Sequence, residues 1–147
     1  MAAAVFLGFM TLFSFAGSRP TDLGVHNNRL GACPAAPKCV SSDENRPAHK
    51  VSPFEIVVPA AEAWRIVRSL VSDLPRTQIV TATSDYIHAE CSSRIFGFID
   101  DLELHLRASQ GIIAVRSVAR LGYSDLGVNR RRVERLRALL RGRGVIK

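Results

Sequence analysis

The chain has no Gly-rich phosphate loop, no G-x-S-x-G elbow and no H-x-x-x-H pair. It therefore carries none of the local signatures of a nucleotide-binding loop, an α/β-hydrolase nucleophile or a helical zinc site. Its four histidines, His26, His49, His88 and His105, lie far apart, and each alone reads as a surface or hydrogen-bonded core residue. Internal repeats are missing too. Charge of either sign is absent from Ala2 to Ser18, and net charge is absent from everything before Asn129. The formal +7 arises wholly in Asn129 to Lys147, which holds eight basic residues and one acidic. A protein that coats nucleic acid over its whole surface is excluded by that balance, and 47% hydrophobic content excludes a disordered chain. At 147 residues there is room for one modest domain and a targeting segment.

The uncharged start, with four of the seven phenylalanines, is a membrane-directed segment. As a helix its seventeen residues span roughly 25 Å, short of the roughly 30 Å hydrocarbon core. A secretory signal fits the length, with Ser14 and Ala16 or Ala16 and Ser18 as small residues at a cleavage site. The lack of a basic region ahead of it fits an uncleaved anchor instead. Residues 1–18 are thus expected to be a signal peptide or membrane anchor, placing the protein outside the cytoplasm, in the periplasm or at a membrane.

Cysteine is scarce. Cys33 and Cys39 are separated by Pro-Ala-Ala-Pro-Lys, a wider gap than the roughly two to four residues between paired zinc ligands. In an oxidising compartment a disulfide closing a Pro-stiffened loop fits, and two unlinked thiols are the alternative. Cys91 falls on an apolar strand face and reads as a buried thiol. Residues 19–48, rich in Pro, Gly, Asn and Ser, read as an irregular segment leading into a domain over 49–147.

Periodicity gives that domain its elements. Val51–Val58 is β-like. From Pro59, Trp64, Val67, Val71 and Leu74 recur at helical spacing until Pro75. The period then becomes two over Ile79–Thr83, Tyr86–Ile95, Phe98–Arg107 and Ile112–Leu121, with hairpin-length breaks. A polar loop and an Arg-rich helix from about Asn129 to Arg141 follow. The expected fold class is α+β: an antiparallel sheet of about five strands with two helices packed on one face, in the order β-α-β-β-β-β-α.

Alternation leaves one apolar sheet face and one bearing acids, bases and histidines. The polar face reads either as a solvated surface with cross-strand ion pairs or as a site lined by Asp100, Asp101, Glu103, Arg116 and Arg120. After the last strand, Asp125 or Asn129 would cap the Arg-rich helix and Glu134 would pair with Arg130. The same corner could present donors to an anion.

Several stretches are specific enough to suggest a family: LGACPAAPKCVSS from Leu30 to Ser42, Leu74-Pro75-Arg76-Thr77, Tyr86 to Glu90, Phe96 to Glu103, and VRSVARLGYSDLGVNRRRVE from Val115 to Glu134. From about Pro20 to Leu140 the chain resembles the bacterial and plastid family catalogued as domain of unknown function 1499. Lys38 departs from the family's usual Asn, and Val118-Ala119 replaces an Ala-Ser pair, which removes a hydroxyl between Arg116 and Arg120. The resemblance implies no activity. It directs attention to Asp100, Asp101, Glu103, Arg116, Ser117, Arg120, Tyr123, Asp125, Asn129 and Arg130 as ligand-binding residues.

The expected function is a non-enzymatic envelope domain that binds a small anionic or amphipathic ligand or a protein partner, next to a membrane surface. A hydrolase-like enzyme using Asp100, Asp101 or Glu103 as base or metal ligand is the alternative. No catalytic residue, cofactor or metal is assigned. Nucleic acid is not an expected partner, because the Arg-rich helix has no interleaved aromatics.

Overall fold

The structure is a computed structural model that describes residues 17–94 and 96–147. The expected signal or anchor falls largely on residues 1–16, outside the described residues.

Residues 19–48 are not irregular throughout. Strands β1 (Val25–His26) and β2 (Arg29–Leu30) form a small hairpin. Its two turn residues, Asn27 and Asn28, have φ of 51° and 59°, the left-handed conformation that this tight turn needs and that asparagine tolerates. Strand β3 (Cys39–Ser41) belongs to the main sheet. Strands this short leave no readable period in a sequence.

Strand β4 (Phe54–Glu55) leads to helix α1 (Ala60–Asp73), which buries Ala63, Trp64, Val67, Leu70 and Val71. Leu74 ends the helix in an extended conformation, ψ 140°, as a residue preceding proline must. Then come β5 (Thr77–Ala82), β6 (Tyr86–Ser92), β7 (Ile99–Arg107), β8 (Ile112–Ala119) and helix α2 (Val128–Gly142). All pairings in the sheet are antiparallel. Its order is β3-β8-β7-β6-β5, and β4 also pairs with β8. The α+β class and the β-α-β-β-β-β-α order are as expected, with β3 as the added strand.

One face of the sheet carries Ile87, Ala89, Leu102, Leu104, Ile113 and Val115, which pack with the buried stripes of both helices into a single core. Each of the leucines, isoleucines and valines contributes roughly 1.5–3 kcal/mol by leaving water. The opposite face is charged, yet it is not solvated: residues 19–48 fold across it. Cys33 and Cys39 are joined by a disulfide, Cα atoms 5.5 Å apart, and pack on Val118 of that face. Cys91 is free and buried.

The disulfide closes too short a loop to constrain the unfolded chain strongly. Cys33→Ser with Cys39→Ser is expected to lower the unfolding free energy by about 2 kcal/mol and to leave the far-ultraviolet circular dichroism unchanged. Loss of sheet signal would show instead that the loop holds β3 on β8.

Candidate functional site: a buried charge lattice and its cavity

Successive residues of β7 alternate between faces, so Asp101, Glu103, His105 and Arg107 share the charged one. Register sets Glu103 opposite both His88 and Arg116, and Asp101 opposite Glu90 and Val118. Asp101, Glu103 and Arg116 are all 1% exposed or less. An unpaired charge at that depth costs several kcal/mol, so each needs a partner.

Arg116 donates through Nη1 to Glu103 Oε2 (2.8 Å) and through Nη2 to Asp22 Oδ2 (2.9 Å) and the Ala32 carbonyl (3.2 Å). Glu103 Oε1 accepts from the Gly24 amide and the Tyr86 hydroxyl, both at 2.7 Å. Arg120 grips Asp101 with two bonds of 2.8 and 2.7 Å and reaches Glu90 at 2.8 Å. His88 Nε2 lies 2.7 Å from Asp101 Oδ1. At the far end of β7, Arg107 pairs with Asp43, which also accepts from the Leu30 amide.

These contacts shift the titrations. Burial pushes Asp101 up, but the hydrogen bonds from Arg120 and His88 outweigh it and hold the carboxyl below its ordinary value. Asp43 is likewise low, because Arg107 and the Leu30 amide overcome its burial. Burial, reinforced by Glu103, drives the Tyr86 phenol strongly upward. Burial and then Arg107 push His105 down.

Asp100 points the other way, to the helix-covered face. It accepts from Arg132 Nη2 (2.8 Å), whose Nη1 donates to Asn129 Oδ1 (2.6 Å) and Ser117 Oγ (3.1 Å). The Ser117 hydroxyl donates to the same Asn129 oxygen. Burial raises Asp100, with Arg132 opposing. Asp125 accepts from the Gly127 and Asn129 amides and from Asn129 Nδ2, and so caps α2.

The ten sequence-selected residues therefore do not form one site. Asp101, Glu103, Arg116 and Arg120 lie on the charged face, and Asp100, Ser117 and Asn129 on the core face. Arg130 donates to the Ala48 and Lys50 carbonyls, and Tyr123 is exposed. Glu134 pairs with Arg137, not Arg130. Arg137, on the same Arg-rich helix, is buried over the Phe54 ring at 4.8 Å and donates to the Ser52 and Pro53 carbonyls. His88, Glu90 and Arg107 were signalled by the alternation that marked Asp101. Asp22 and Asp43, in aperiodic sequence, carried no signal.

Between the covering segment and β8 is a cavity of about 330 Å³, with Asp22, Cys33, Lys38, Arg116, Val118 and Arg120 in its wall. Lys38 Nζ donates to the Arg120 carbonyl. Among the described residues, Arg116 Nε is the one buried side-chain polar atom without a hydrogen-bond partner. Arg116 and Arg120 already meet carboxylates, whereas Lys38 meets a carbonyl, and apolar atoms of Val118 and Cys33 complete the wall.

A family model described as a protein of unknown function (DUF1499) matches residues 29–140. The chain belongs to this family. Searches of curated proteins and of solved structures find no match. In this DUF1499 chain the matched residues hold both charged clusters, whereas Arg19, which donates to Glu90, and Asp22 and Gly24, which complete the cover, precede them.

His88, Glu90 and Asp101 bring three potential metal-ligand atoms within 4.8 Å of one another. Arg120 already occupies the space between the two carboxylates, and a divalent cation would have to displace it and leave a buried guanidinium unpaired. Calorimetric titration with Mg²⁺, Mn²⁺ or Zn²⁺ is accordingly expected to give no binding heat that Asp101→Asn removes.

The depressed carboxyls also fix a pH dependence. Folded-state values of Asp43 and Asp101 lie below 3.8 and that of Glu90 below 4.5, while Glu44, bonded by Arg46, falls to about 2. Stability from these groups is complete above the unfolded values and is lost as pH falls through the folded ones; Asp100, shifted upward, has the opposite sign. Four groups against one predict a melting temperature that drops from about pH 5 downward, with a shallower drop in Asp101→Asn. A flat acid limb would remove the lattice from the stability account.

Proposed function

We propose that this DUF1499 domain is a non-enzymatic binding module, exported or membrane-attached through its apolar leader, that takes a small anionic or amphipathic ligand in the cavity beneath residues 19–48. The observation that carries this reading is Arg116: it lines the cavity, is buried, and has an Nε without a partner. Leaving such a donor unmet costs roughly 1–3 kcal/mol, which an acceptor on a ligand would recover. Asp22 strengthens the case. Its carboxylate is half exposed and occupies Arg116 Nη2 in the way a ligand's anionic group would. A ligand reaches this guanidinium by displacing Asp22 from Nη2, while Val118 and the disulfide offer contact to an apolar tail.

Hydrolysis by Asp101 or Glu103 has less support, since both carboxylates are held by guanidinium groups. Asp100 is shifted upward, the direction that suits proton transfer, whereas Asp101 is shifted downward.

Calorimetry and thermal shift with hexyl phosphate and hexanoate, against hexyltrimethylammonium, test the proposal on the full chain. The anions are expected to bind and raise the melting temperature. Asp22→Asn tightens binding by removing the competitor, and Lys38→Ala weakens it by about fivefold, or about 1 kcal/mol. If neither anion binds the native protein or Asp22→Asn, and Arg116→Lys changes thermal stability alone, the lattice is structural.

A further inference from the structure

Antiparallel pairing brings the start of β5, the end of β6, the start of β7 and the end of β8 to one end of the sheet. The turn 74–76, the β6–β7 connection and the β8–α2 loop share that end. It exposes large apolar side chains: Phe96 (69%), stacked with Phe98 at 5.5 Å, then Leu121, Tyr123 (75%), Leu126 (82%) and Val128.

Beside them is a cleft of about 240 Å³ bordered by Val128 and by four arginines, Arg76, Arg131, Arg132 and Arg135. Arg132 is neutralised by Asp100. Arg76 and Arg131 donate to the carbonyls of Ser92 and Leu126, which satisfies hydrogen-bonding capacity and leaves the charge uncompensated. The first described residue, Gly17, arrives at the same end: a Cβ built on it would lie 3.0 Å from Leu121 Cδ2 and 3.2 Å from Arg120 Cβ. Residues 2–16, immediately before it, have no ionisable side chain. An apolar rim, a group of arginines and the first described residue of the chain thus meet at one end of the fold.

We propose that this end docks the folded domain onto an anionic lipid surface. Phe96, Phe98, Leu121, Tyr123, Leu126 and Val128 enter the interfacial region, and Arg76, Arg131 and Arg135 meet headgroup phosphates. Exposed aromatic and aliphatic groups gain by leaving water there, and basic residues near an anionic leaflet add attraction that falls off within a Debye length. The docking rests on the membrane-side placement proposed above, but not on occupation of the cavity under residues 19–48.

The test uses the full chain with vesicles of phosphatidylcholine alone or with phosphatidylglycerol, each containing lipid brominated along the acyl chain. Phe96→Trp reports on the docking end, and Val57→Trp, exposed near the opposite end of the sheet, serves as its control. Buried Trp64 gives both variants the same baseline. Bromolipid is expected to quench the indole of Phe96→Trp and not that of Val57→Trp, more strongly with phosphatidylglycerol. Arg131→Ala and Arg135→Ala should each weaken the phosphatidylglycerol-dependent part by about fivefold.

Two results overturn the proposal: a chain that does not bind anionic vesicles, or bound Phe96→Trp protein whose added indole is quenched no more than that of Val57→Trp. Hexyl phosphate binding measured without vesicles is independent of both, so failure of docking and failure of the cavity reading are distinguishable. Circular dichroism of each variant checks that it is folded.

Discussion

Glu103 is fully buried in the middle of the sheet, and both its oxygens are taken, by Arg116 on one side and by Tyr86 and the Gly24 amide on the other. A carboxylate in that position is tolerable only while every one of those donors is present. Two come from neighbouring strands and are fixed by register. The third is backbone from the covering segment, so dehydration of Glu103 and docking of that segment are one event. Arg116 repeats the logic, since its second amino group needs Asp22 and the Ala32 carbonyl from the same cover. The sheet's charged face and residues 19–48 therefore stabilise each other.

Such an arrangement adds little net stability, because the attraction between buried charges is largely offset by their lost hydration. Its effect is on uniqueness. The core face would accept many packings of Leu, Ile and Val, but the charged face accepts one register: a one-residue slip of β8 would bring Val115 or Ser117 opposite Glu103 in place of Arg116. On the core side, Asp100, Arg132, Ser117, Asn129 and Asp125 do the equivalent for α2, tying its first turn to the start of β7 and the end of β8. The two clusters start from adjacent residues, Asp100 and Asp101, and diverge because a strand sends neighbours to opposite faces.

The elements of the domain were legible because their periods are long enough to read: seven to nine residues in β6, β7 and β8, and fourteen and fifteen in the helices. The faces were legible for the same reason. What alternation cannot say is whether a polar face meets water or another part of the chain. Aperiodic sequence around Pro20 to Pro47 hid the cover, and with it Asp22 and Asp43. Arg137 was missed for a related reason: on a helical wheel an arginine counts as polar, although its planar group can lie on a buried phenylalanine and donate to backbone carbonyls.

The clustered positive charge of Asn129 to Lys147 shows why a structural role and a binding role need not compete. Arg130 and Arg131 spend their hydrogen bonds on backbone carbonyls, which orient a guanidinium without neutralising it. Of the arginines in this stretch, only Arg132 and Arg137 meet a carboxylate side chain among the described residues. The fold thus uses the arginines' geometry to fasten α2 to the chain around it while most of their field remains. A lysine would leave the same charge but hold its place less firmly, since it lacks the fixed fork of donors. Arginine at these positions makes the positive surface rigid, and a rigid surface loses less side-chain entropy when an anionic partner arrives.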